Sequence, residues 1–131
     1  MPKKKIMVVD DSRSIVRAVE LLLESENYSV IPAFNGKECL EKLPQEKPDL
    51  VLLDVMMPGL NGREVCRRIK EINKDIKVIF LTGVGVTKSE AFSALCQKFH
   101  ADISKELGAV DYITKPFDNE DLVRRVKRAL R

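Results

Sequence analysis

Apolar residues recur along the chain with two alternating periods. Five short runs, residues 6–9, 28–33, 50–53, 78–81 and 110–113, concentrate β-branched, aromatic and leucine side chains, and each is followed by a stretch whose apolar positions return every three or four residues. Side chains alternate faces along a strand and return to one face about every 3.6 residues along a helix, so the pattern predicts a βα repeat. Leu50-Val-Leu-Leu and Val78-Ile-Phe-Leu are apolar at every position, which suits central strands of a parallel sheet covered on both faces. The run at 28–33 holds Ser29 and Pro32; proline cannot donate to a ladder, so this strand is expected at an edge.

The helical stretches show their buried stripes. Ile15, Val19, Leu22 and Leu23 form the first, Val65, Ile69 and Ile72 the third, and Leu122, Val126 and Leu130 the last. Ser12, Asn35, Asn61 and either Asp118 or Asn119 stand where a short polar side chain caps a helix N-terminus, and Asn73 and Gly108 where C-termini are commonly closed. The connection between the fourth and fifth strands, residues 83–109, is extended. It opens as a loop, Gly83-Val-Gly-Val-Thr-Lys, and then Phe92, Leu95, Phe99, Ile103 and Leu107 predict a long helix or one broken in two.

Strands alternating with helices through right-handed crossovers give a three-layer, doubly wound α/β domain with a parallel five-stranded sheet. The 131 residues suit one such domain, and 1–131 reads as a single unit without a linker. A composition of 44% hydrophobic and 33% charged residues fits a folded globular chain. No run reaches the roughly 18 apolar residues that a membrane span needs, and the start reads into a strand rather than a signal peptide; a cytoplasmic protein without membrane contact is expected. Cys39, Cys66 and Cys96 form no CxxC pair and read as reduced packing residues. His100, the only histidine, has no ligand set around it. The net charge is +3, with Arg124, Arg125, Lys127, Arg128 and Arg131 gathered at the end of the chain. A solvated helix face accounts for them, and without aromatic interleaving or a reading motif nucleic acid is not the expected partner.

In this fold class ligands bind beyond the carboxyl ends of the strands. Asp10 and Asp11 close the first strand, Asp54 the third and Thr82 the fourth, and Lys115 follows the fifth within Thr114-Lys-Pro-Phe. Carboxylates gathered at one rim repel one another unless a cation neutralises them. An all-oxygen donor set without histidine or thiolate favours Mg²⁺, with Mn²⁺ as a substitute. Lys115 and Thr82 add a point charge and a hydroxyl suited to phosphoryl oxygens, leaving Asp54 as the nucleophile.

Four segments carry a family resemblance: Val8-Val-Asp-Asp-Ser, Leu52-Leu-Asp-Val-Met-Met-Pro-Gly-Leu-Asn-Gly, Phe80-Leu-Thr-Gly and Gly108-Ala-Val-Asp-Tyr-Ile-Thr-Lys-Pro-Phe. Together, in this order, they resemble the receiver domain of two-component response regulators, of the single-domain chemotaxis type, over nearly the whole chain. The resemblance implies a flavodoxin-like sheet of order 2-1-3-4-5 and phosphorylation of Asp54 by a sensor histidine kinase or a histidine phosphotransfer protein, switching the conformation seen by a downstream protein. It further implies Asp11 and Asp54 as direct metal ligands, Asp10 as the acid holding metal-bound water, the Met56 carbonyl as a further ligand, Lys115 as the phosphate-pairing lysine, and Thr82 with Tyr112 as the switch pair. The Lys115–Pro116 bond is expected to be cis, and a phosphorylation-dependent homodimer is left open as one mode of output.

Plainer readings stand beside these. Asp11 or Ser12 could simply cap the first helix, Tyr112 could be a core or rim residue, and Met56-Met-Pro-Gly is a turn in any case. Two positions beyond Asp54 and Thr82 stand Met56 and Val84, where many members of the family place polar groups that orient a hydrolytic water; slow self-dephosphorylation is therefore expected. An aspartyl-nucleophile phosphatase or phosphotransferase would carry a second acid at position 56. A flavin or nucleotide binder would need a glycine-rich loop where the chain reads Asp-Asp-Ser-Arg-Ser.

Overall fold

The structure, a computed structural model, describes residues 3–54, 62–83 and 109–131, with Thr82 and Gly83 described along the backbone only. The expected roles of Met56, Asn61, Val84, Cys96, His100 and Gly108, and the helix expected between 83 and 109, lie outside the described residues. In chain order the elements are β1 (Lys5–Val9), α1 (Arg13–Ser25), β2 (Ser29–Ala33), α2 (Gly36–Glu46), β3 (Leu50–Asp54), α3 (Gly62–Ile72), β4 (Lys77–Gly83), β5 (Asp111–Lys115) and α4 (Asn119–Ala129). The five strands are parallel in the order β2-β1-β3-β4-β5. Pro32 lies in the edge strand β2, where a missing donor costs least.

Because both faces of the sheet are covered, residues 6–9, 50–54 and 78–81 of its central strands are buried. Met7, Val9, Val51, Leu53, Val78 and Phe80 face Cys39 and Leu43 of α2 and Val65, Cys66 and Ile69 of α3. The alternate residues Ile6, Val8, Leu50, Leu52, Ile79 and Leu81 face Val16, Val19 and Leu23 of α1 and Leu122 and Val126 of α4. The unbroken apolar runs of the sequence thus divide residue by residue between two layers.

Helix starts follow the expected caps. The side chains of Ser12, Asn35 and Asp118 accept backbone N–H groups of the first turns of α1, α2 and α4. Asn73 closes α3, its N–H reaching Ile69 O at 2.9 Å and its side chain accepting the Asp75 N–H at 2.9 Å. Three expectations need correction. Ile72 does not complete the stripe of α3: it is 52% exposed, and Ile76, beyond the helix, fills that part of the layer. In α1 the buried set includes Val16, whereas Ile15 and Leu22 are only partly buried. The last strand starts at Asp111, leaving Val110 exposed.

The basic residues of α4 form a largely exposed face, as expected, and several of them also pair within the molecule. Arg125 and Arg128 meet the Asp111 carboxylate at 2.7 and 2.9 Å, Arg124 and Arg125 pair with Asp121, and Lys127 reaches Glu26, the C-cap of α1, at 2.7 Å. Each exposed pair contributes about 0–1 kcal/mol, but together they seat α4 against β5 and α1.

Two outcomes test this packing. Ile69→Ala should cost about 2–5 kcal/mol in urea unfolding, and Ile72→Ala should stay within about 0.5 kcal/mol of wild type. Burial pushes the Cys39 and Cys66 thiols up to about 12 and about 11 from 9.0. The unfolded thiols ionise first, so the stability these groups contribute is present below pH 9.0 and is lost as pH rises toward 11. In a Cys96→Ser background both thiols should therefore resist Ellman's reagent in the native protein near pH 8 and react at once in denaturant.

Candidate functional site

The site is built at the carboxyl ends of β1 and β3. After Val9 the Asp10 N–H still bonds to Ala33 O at 3.1 Å, holding the chain to the sheet for one more residue. The Asp10 carboxylate then accepts the Ser12 N–H at 2.9 Å, an Asx turn that leads into α1. Asp54 is the last residue of β3, between β1 and β4. Asp10 is fully buried and Asp54 is 3% exposed, whereas Asp11 faces solvent. One oxygen of each of the three carboxylates lies within 4.8 Å of the others.

Like charges about 5 Å apart repel by roughly 3 kcal/mol at an effective dielectric of about 20. Lys115 offsets this in part. Leaving the end of β5, its Nζ donates to Asp10 Oδ2 and lies 3.5 Å from Asp54 Oδ2. One ammonium among three carboxylates leaves the group short of positive charge. Hard oxygen donors, two of them buried and one open to water, fit a divalent cation that keeps part of its hydration shell.

Asp10, Asp11, Asp54 and Lys115 are thus brought together. Tyr112, opposite Phe80 in the sheet, packs partly buried against the layer formed with α2 and α3. Thr82 stands in register with Thr114, its side chain outside the described residues. The Lys115–Pro116 peptide is cis.

A second cluster at this rim was not anticipated. Arg13, the first residue of α1, places its guanidinium 4.3 Å from the centroid of the Phe34 ring, which follows β2, a contact worth about 0.5–1 kcal/mol at an exposed site. Glu38 accepts the Phe34 N–H at 3.2 Å and pairs with Lys42 at 2.8 Å. Burial alone would raise the Glu38 carboxyl, but Lys42, the Phe34 N–H and the Arg13 charge outweigh it and hold the group below its usual range. The sequence carried one signal for Arg13: a cation in a helix's first turn opposes the dipole.

The response regulator receiver domain model matches residues 6–127. The chain belongs to the response regulator receiver domain family. The receiver is 43% identical over 128 residues to the alkaline phosphatase synthesis transcriptional regulatory protein PhoP of Bacillus subtilis, covering 98% of this chain and 49% of that protein. It is 39% identical over 127 residues to the response regulator ArlR of Staphylococcus saprophyticus, covering 97% and 52%. The chain thus spans about half the length of the curated relatives it matches. Among solved structures, a CheY-like response regulator receiver domain protein from Methanospirillum hungatei superposes with a TM-score of 0.80 at 30% identity, covering 97% of this chain and 93% of that one. Receiver domains are signalling switches of two-component systems that bind Mg²⁺ at an acidic cluster, and Asp10, Asp11 and Asp54 form such a cluster here. No helix among the described residues is long and apolar enough to cross a membrane.

Mg²⁺ at about ten times its Kd should stabilise the receiver by about 1.4 kcal/mol, raising Tm by roughly 4–6 °C, with reversal by EDTA. Asp11→Asn should abolish that increment and, without metal, melt no lower than wild type. A Mg²⁺ response equal to wild type in this variant would remove Asp11 from the ligand set.

Proposed function

We propose that the receiver accepts a phosphoryl group on Asp54 from the phosphohistidine of a sensor histidine kinase or phosphotransfer protein, and that the modified domain switches a downstream protein. The observation that carries this reading is the setting of Asp54: nearly buried at the end of β3, with the Lys115 ammonium 3.5 Å away and two further carboxylates beside it. A buried carboxylate with cations on its flank can attack an electrophile whose departing charge those cations share.

Asp11 and Asp54 would hold Mg²⁺ directly, Asp10 would hold it through water, and the Met56 carbonyl would complete the protein's share. The ion, when bound, neutralises phosphoryl oxygens during transfer. An Asp54 carboxylate oxygen forms the new bond to phosphorus as the donor's P–N bond breaks, and the imidazole departs with the electron pair. Lys115, paired with Asp10 before transfer, is placed to turn to the new phosphoryl oxygens. Thr82 would donate its hydroxyl to the same group and Tyr112 would follow it inward, shifting a pre-existing equilibrium toward the state in which these contacts are made. Partner proteins, or a second copy of the receiver, would read the switched state, in the cytoplasm where such donors act. PhoP is named a transcriptional regulator, so transcription is one process that a longer protein containing this receiver could control.

Incubation with acetyl phosphate and Mg²⁺ should add about 80 Da to the wild type by intact mass and nothing to Asp54→Asn. An adduct persisting in the variant would move the acceptor elsewhere. With Met56 and Val84 beyond the acceptor and the switch threonine, the adduct should survive for minutes or longer after donor removal, and a lifetime of seconds would refute slow hydrolysis.

A further inference from the structure

We propose that Arg13, seated on the Phe34 ring, is a recognition residue that draws the anionic phosphoryl donor to the mouth of the acidic pocket. The inference rests on Asp54 being the acceptor and adds the group that selects what approaches it.

The placement of Arg13 is unusual on three counts. Its cation occupies the first turn of α1, a helix whose first turn holds no acidic residue, so the positive charge works against the helix dipole. The guanidinium is exposed, and its described contact is the face of a ring; stacking fixes its direction while leaving its five N–H donors for another partner. Glu38, an acid that feels the Arg13 charge, is already engaged by Lys42 and the Phe34 N–H.

The pair also lies beside the acidic pocket in the fold. Arg13 is two residues from Asp11 in sequence, so their Cα atoms are within about 8 Å. Phe34 follows Ala33, whose carbonyl holds the Asp10 N–H. The stacked pair therefore spans from β1 to β2 along one flank of the carboxylates.

Charge balance gives it a task. Lys115 and one divalent cation together cancel the formal charges of Asp10, Asp11 and Asp54, so the loaded pocket has little net pull on an incoming phosphoryl anion. A guanidinium at the rim supplies that pull through its charge. The contribution is to occupancy of the mouth before transfer, and not to bond making at Asp54.

The test is the rate of adduct formation with acetyl phosphate at saturating Mg²⁺, followed by intact mass over a range of donor and salt concentrations. Arg13→Gln is expected to lower the rate per donor concentration roughly three- to tenfold at low salt and to flatten its decline with added NaCl. The limiting rate at high donor and the Mg²⁺-induced rise in Tm should be unchanged. Arg13→Lys, which keeps the charge, should recover most of the loss. Equal rates and equal salt slopes in Arg13→Gln and wild type would overturn the proposal, as would a loss confined to the limiting rate or a loss shared by Arg13→Lys. If wild type itself takes no adduct, the phospho-acceptor reading fails first, and this one with it.

Discussion

Two buried carboxylates at the rim of an apolar sheet constrain much of what surrounds them. Asp10 and Asp54 are almost wholly removed from water, a burial that costs several kcal/mol per charge unless it is compensated. Compensation reaches them from separate parts of the chain. The Ser12 N–H serves one oxygen of Asp10 as the chain turns into α1, and Lys115 serves the other from the far edge of the sheet. That second contact exists because β5 is registered on β4, with Lys115 opposite Gly83, and β4 on β3, with Leu81 opposite Asp54.

Register is therefore the link between packing and chemistry. A slip by one residue in β3 would exchange Val51 and Leu53 with Leu50 and Leu52 between the two apolar layers and carry Asp54 to the wrong face. The hydrophobic layers resist that slip because each is already filled by the residues of matching parity. The same force that forms the core thus sets the spacing of the carboxylates, and the ion pairs of α4 with Asp111, Asp121 and Glu26 keep the last helix seated behind the strand that delivers Lys115.

Much of this was legible in the sequence. Runs apolar at every position can hardly be anything but doubly covered strands, and short polar residues before periodic stretches marked three helix starts, so the strand ends, and the acids on them, could be located. What escaped depends on distances that the sequence does not contain. Ile72 has the right spacing for the stripe of α3, but the chain turns at Asn73 and Ile76 takes the space. Of the five cations near the C-terminus, Arg125, Lys127 and Arg128 also reach Asp111 or Glu26, partners outside their own helix that spacing along the helix does not reveal. Lys115 was expected near the acids, but its direct pairing with Asp10 follows from side-chain reach. The stacking of Arg13 on Phe34 joins the start of α1 to the residue after β2, which no periodicity connects.

The parity rule that divides the core has a consequence for how the molecule tolerates change. Val65 and Ile69 of α3 and Val19 of α1 and Val126 of α4 pack on opposite faces of the sheet, so the effects of substituting across that divide should add. Each layer can be repacked as a separate solvent-excluded compartment. The acidic rim, to which strands shared by both layers contribute, is where changes in the two compartments would register together.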